Sequence, residues 1–60
     1  MKKRDLFDML VRPKQHFIIG DYVGYVIGIA LEDGSGKCFN VTVRLKQSGK
    51  IITTFIRTID

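Results

Sequence analysis

The sequence predicts an α+β fold: one short N-terminal helix packed on a four-stranded antiparallel β-meander, the sheet either flat or curled toward a small barrel. Three observations carry that expectation. Apolar residues recur at helical spacing only in the first dozen positions; from His16 onward, β-branched and aromatic runs are separated by glycine-containing breaks; and in 39–46 apolar and polar residues alternate strictly. Sixty residues hold a single small domain, 1–60, divided into a basic arm at 1–4, a helix at 5–12 and the meander at 15–58.

The helix rests on Leu6, Phe7, Leu10 and Val11, which form one apolar stripe opposite Asp8 and Arg12. Asp5 is the expected N-cap, with Asp8 adding a carboxylate to the first turn, where the helix dipole favours negative charge. Lys2, Lys3 and Arg4 then precede the helix, and Pro13 ends it because the residue before a proline is pushed out of the α region. A helix this short is not stable alone in water and has to dock its stripe on the sheet.

Strands are expected at 15–19, 22–32, 37–46 and 50–58, broken by Gly20-Asp21, Gly34-Ser35-Gly36 and Ser48-Gly49. In the third, Phe39, Val41, Val43 and Leu45 face inward while Cys38, Asn40, Thr42, Arg44 and Lys46 face out. In the second, unbroken alternation puts Val23, Tyr25, Ile27, Ile29 and Leu31 on one face and the small residues Gly24, Gly28 and Ala30 on the other. A three-residue loop at 34–36 then sets Leu31 opposite Phe39, Ile29 opposite Val41, Ile27 opposite Val43 and Asp33 opposite Lys37. A two-residue Ser48-Gly49 loop pairs Leu45 with Ile52, Val43 with Thr54 and Val41 with Ile56. A three-residue loop would set Lys46 against Lys50, a repulsive pair. The expected core is the helix stripe against Tyr25, Ile27, Ile29, Phe39, Val41, Val43, Ile52 and Ile56.

Composition narrows the function. The chain has ten Lys+Arg, six Asp+Glu, one His and one Cys, with a formal net charge of +4. A single Cys forms no internal disulfide, and one His with one Cys cannot build a four-ligand zinc site, so neither a metal nor another cofactor is expected. No apolar stretch has the length of a membrane-spanning helix, and Asp5 and Asp8 interrupt the run that would make the basic start a secretory signal. The lone Cys38 suits a reducing compartment, so the reading is cytoplasmic, with no membrane partner.

The expected register gathers Arg44, Lys46 and Arg57 around Phe55 on the face away from the helix, with Asn40, Thr42 and Lys50 nearby. Cations that follow phosphates and a ring that accepts a base are what single-stranded nucleic acid asks for. The leading expectation is therefore a small, basic, non-catalytic module that binds nucleic acid through Arg44, Lys46, Phe55, Arg57, Asn40 and Lys50. Lys2, Lys3, Arg4, Arg12 and Lys14 could extend the contact. The competing reading makes these cations solubilising groups that blunt sheet edges. An alternative function is a protein-binding regulator or inhibitor. Phe17, Ile19 and Tyr22 beside the bare glycines would leave apolar surface for a partner or a second copy, and a homodimer is expected on that ground.

Catalytic readings have less behind them. His16 lies beside Phe17-Ile18-Ile19 and reads as a partly buried structural residue, since nothing in the spacing brings Glu32 or Asp21 to it. Cys38 reads as an unreactive thiol at a strand start. Gly34-Ser35-Gly36-Lys37 lacks the spacing of a phosphate loop and opens a strand instead of a helix. The closing segment, with Ser48-Gly49-Lys50-Ile51-Ile52-Thr53-Thr54-Phe55, resembles the last hairpin of RNase toxins of the barnase, EndoU and RelE types. That resemblance covers about a third of the chain and implies RNA cleavage, with His16 the residue that could match a catalytic His. The glycine-rich second strand and its Asp33-Gly34-Ser35-Gly36 turn are similar to part of a small OB-type barrel, whose grooves bind oligonucleotides.

Overall fold

The structure, a computed structural model, describes residues 1–12, 15–32, 34 and 36–59. The helix stop at Pro13, a contact from Lys14 and the Asp33–Lys37 pair lie outside them. Helix α1 spans Lys3–Leu10, and strands β1 Phe17–Ile19, β2 Tyr22–Leu31, β3 Cys38–Leu45 and β4 Ile51–Arg57 follow. The four strands form one antiparallel sheet in the order β1-β2-β3-β4, curled into a half-barrel. This is the expected α+β meander, with strand ends within two residues of those read from the sequence.

The helix begins two residues earlier than expected. Lys2 occupies the N-cap, where its side chain has no acceptor to offer, and Asp5 sits inside the first turn, so Lys3 and Arg4 are helical and not part of an arm. The start is closed instead by the backbone, with Leu6 N–H donating to the Lys2 carbonyl at 3.1 Å. The docked stripe is also rotated from the expected one. Leu6 is fully buried, with Met9 and Leu10 half-buried at i+3 and i+4, whereas Val11 is 71% exposed. Phe7 lies at the margin, its ring edge-on to Phe39 with centroids 5.5 Å apart. Asp8 and Arg12 pair at 3.1 Å on the solvent side.

The core comprises Leu6, Ile19, Val26, Phe39, Val41 and Val43, with Phe17, Ile29, Leu45, Ile52 and Ile56 packed against it. Strand β3 supplies three of these at every second position, as its alternation demands. Strand β2 does not alternate throughout. Leu31 pairs with Phe39 and Ile29 with Val41 as expected, but a register shift between Val26 and Gly28 sets Val26, not Ile27, opposite Val43. Ile27 is the extra residue of a β-bulge, so inward-pointing positions change along β2 from even (Gly24, Val26) to odd (Ile29, Leu31) across it. Tyr25 and Ile27, expected in the core, therefore face away from it, Ile27 at 46% exposure.

The last hairpin differs from the preferred register by two residues: Val43 pairs with Ile52, Val41 with Thr54, Phe39 with Ile56 and Arg44 with Ile51. Its loop has four residues, closed by Leu45 N–H to the Lys50 carbonyl at 2.8 Å and Gly49 N–H to the Leu45 carbonyl at 3.0 Å. A two-residue Ser48-Gly49 turn of type I′ would need positive φ at both residues, and Gly49 has it (φ 71°) while no non-glycine residue among those described does. The shift is even, so every side chain keeps its face. Strand β4 is then locked at its far end by Thr58, 2% exposed, which donates its N–H and hydroxyl to the Lys37 carbonyl at 2.7 and 2.9 Å.

Gly24 pairs with Phe17 on one side and Leu45 on the other. A Cβ there would overlap the Arg44 carbonyl oxygen and lie 2.9 Å from its carbon, whereas a Cβ at Gly28 would meet Thr42 Cβ at an ordinary 3.7 Å. Gly24→Ala is expected to lose about 1–3 kcal/mol or more in urea denaturation, as an overpacked site must shift backbone. Gly28→Ala should stay within about 1 kcal/mol of the parent. Leu6→Ala should cost about 2–5 kcal/mol, enough to abolish the cooperative thermal transition of so small a domain.

Candidate nucleic-acid interface

The face of the sheet away from the core is assembled by pairing. Four cross-strand rows run over it: Tyr25–Arg44–Ile51, Gly28–Thr42–Thr53, Ala30–Asn40–Phe55 and, at the far end, Cys38–Arg57. Arg44, Phe55 and Arg57 share this face, as pleat parity requires, and Phe55 is 55% exposed. Their spacing differs from the expectation. Arg44 was expected beside Thr53, Asn40 beside Arg57 and Thr42 beside Phe55; instead Arg44 faces Ile51, Asn40 faces Phe55 and Arg57 faces Cys38. Arg44 and the Arg57 row thus lie six residues apart along β3, about 20 Å.

The cations accordingly fall at two ends. At the first, Arg44 leads into the turn that carries exposed Lys46 and is closed by exposed Lys50, which pairs with Leu45 and so has the parity of the core side. Lys46 belongs to this turn, not to the strand, and its backbone N–H donates to the Val23 carbonyl at 2.9 Å. It also lines, with Asp21, Tyr22, Val23, Leu45 and Gln47, an open cleft of about 480 Å³ between two hairpin turns. At the second end, Arg57 is joined by the start of the chain: Ile59 N–H donates to the Met1 carbonyl at 2.9 Å, and Lys3 Nζ lies 4.0 Å from where a Cβ on Gly36 would be. Asn40, expected to offer its amide to a ligand, donates it to the Glu32 carboxylate instead. That carboxylate reduces the appeal of this end to a phosphate.

Sequence reasoning missed one part of this face. His16, expected to be partly buried, is exposed, and its ring stacks on Tyr25 with centroids 4.7 Å apart and planes 30° from parallel. The bulge at Ile27 places Tyr25 on the outer face, and the cross-strand neighbour of Tyr25 is Arg44. An aromatic pair and a guanidinium therefore occupy one end of the sheet. The Val26-Ile27-Gly28-Ile29 run held the available signal, since a glycine within a strand often marks a bulge. The apolar surface agrees with the expectation only in part: Tyr22 (41%) and Ala30 are exposed, but Ile19 and Gly24 are buried and Phe17 half-buried, while Ile18 (75%), Ile51 (62%) and Val23 (44%) are exposed on the outer face.

Cys38, half-buried, opens β3. Among the described residues no helix is long and apolar enough to cross a membrane. Compared with known proteins, the chain matches no family model, no curated protein and no solved structure.

The stacked pair has a direct signature: the His16 ring protons should resonate upfield of their random-coil positions in proton NMR, and Tyr25→Leu should return them toward those positions. Unchanged shifts would place His16 away from the tyrosine.

Proposed function

We propose that this protein is a small non-catalytic module that binds single-stranded nucleic acid on the outer face of its sheet. The observation that carries the reading is the Tyr25–Arg44 cross-strand pair, with His16 stacked on the tyrosine and the exposed Phe55 two rows away on the same face. Phosphates would be met by Arg44, with Lys46 beside it in the turn and Lys50 at the strand edge that closes that turn, and by Arg57 at the other end. Bases would stack on Phe55 and on the His16–Tyr25 pair, because every base offers a π-face to an exposed ring. The net charge of +4 favours the encounter at low ionic strength. Asn40 takes a lesser part than its sequence position suggests, since its amide is held by Glu32.

Exposed Ile18 and Ile51 on the same face support a second reading, a protein-binding regulator. One set of measurements separates the two. Fluorescence anisotropy with labelled single-stranded RNA and DNA should show binding at about 50 mM salt that weakens steeply by about 200 mM, as released counterions require. Arg44→Ala should weaken binding and make the salt slope shallower by about 1. Phe55→Ala should cost about 1–3 kcal/mol with little change in slope. Absence of binding at low salt, together with a protein retained from nuclease-treated lysate, would replace the nucleic-acid reading with the regulator.

A further inference from the structure

Strand β4 is an edge: β3 is its sole neighbour among the described residues. The hydrogen bonds that bracket its ladder are made by even-numbered residues, Leu45 N–H to the Lys50 carbonyl and Thr58 N–H to the Lys37 carbonyl, both in the register of Val43 with Ile52. Antiparallel ladders alternate, so the backbone groups of Ile51, Thr53, Phe55 and Arg57 point the other way, off the open edge. Edges are normally blunted by proline, bulges, inward charge or brevity. Here seven residues run without proline or register shift, and the one charge, Arg57, comes at the end. Met1 bounds the open stretch at one end, through its bond to Ile59, and the 46–49 turn bounds it at the other.

We infer that β4 pairs antiparallel with β4 of a second copy, about a two-fold axis through Thr54. In that register Ile51 faces Arg57 of the other copy, Ile52 faces Ile56 and Thr53 faces Phe55. Every outward-pointing residue of the strand finds a partner, for about eight inter-chain hydrogen bonds. Moving the axis to Thr53 leaves Arg57 facing the turn, and moving it to Phe55 sets Ile51 against the position Met1 already fills beside Ile59. The Thr54 register also opposes no like charges, which an isologous pair about Arg57 could not avoid. Half-buried Ile52 and Ile56 meet on the core side, and exposed Ile51 and Phe55 gain neighbours on the outer side.

The pairing changes the charge map. Across the joined sheet, Arg57 of one copy lies two strands from Arg44 of the other, about 10 Å, instead of the six residues that separate their rows within one chain. The inference stands on strand geometry and does not require the nucleic-acid reading, although it supplies that reading with closer cations.

Sedimentation equilibrium of the whole chain at near-physiological salt, between about 10 µM and 1 mM, should show the mean mass rising from 6.8 kDa toward twice that value. Thr53→Lys combined with Phe55→Lys, which sets ammonium groups against each other across the two-fold, should weaken association at least about tenfold. In a Cys38→Ser background, Thr54→Cys should form an inter-chain disulfide on mild oxidation, because residues opposite each other in a non-hydrogen-bonded pair are about 4.5 Å apart at Cα. Ile52→Cys, whose counterpart lies four residues away, should link at least about tenfold more slowly. A monomer throughout the concentration range overturns the inference, as does Ile52→Cys linking as fast as Thr54→Cys.

Discussion

The close approach of β2 to β3 at Gly24 governs the rest of this structure. Gly24 is buried between Phe17 and Leu45, with the Arg44 carbonyl where a side chain would begin. A residue without a Cβ lets three strands converge there. The sheet can then curl into a half-barrel, and one eight-residue helix covers part of its inner face, leaving Tyr22 and Leu31 exposed. Leu6 closes that cover, reaching the Val26, Val41 and Val43 cluster with no exposure. Six buried apolar side chains among the described residues are a thin core, so each position near Gly24 has little slack.

The β-bulge at Ile27 is the second determinant, and it acts on both faces together. An extra residue reverses the pleat, which lets Val26 and Ile29 both point inward although they are three apart. The same reversal turns Tyr25 outward to meet His16 and Arg44. Without the bulge Tyr25 would have to enter the core, and the outer face would lose its aromatic end. The packing need inside and the chemistry outside thus have one cause. The turn at 46–49 works differently: it slides β4 by two residues, keeps every face intact and changes only which side chains are neighbours. It therefore leaves the core unaffected and separates Arg44 from Arg57.

The outer face, as a result, is not a single basic patch. It is two cationic ends joined by small and hydroxyl-bearing residues, Gly28, Ala30, Thr42 and Thr53, with Phe55 between. Long-range attraction of a polyanion needs only the net charge, but tight engagement needs cations matched to phosphate spacing and rings within reach. A face extended across paired β4 edges would satisfy both requirements better than one chain does.

The sequence alone was sufficient for the helix-plus-meander architecture, for all four strands and for the inward set of β3, because period-two alternation and glycine breaks are local properties of the chain. It also placed Arg44, Phe55 and Arg57 on a common solvent face, since that depends only on parity. What it could not supply was the bulge at Ile27, the length of the 46–49 turn and the start of α1. Each of these is decided by how distant segments fit: Val26 against Val43, Leu45 against Lys50 and Leu6 against the closed inner face. Neighbouring side-chain identities across strands are set by register, and register is a tertiary quantity wherever two alignments bury the same residues.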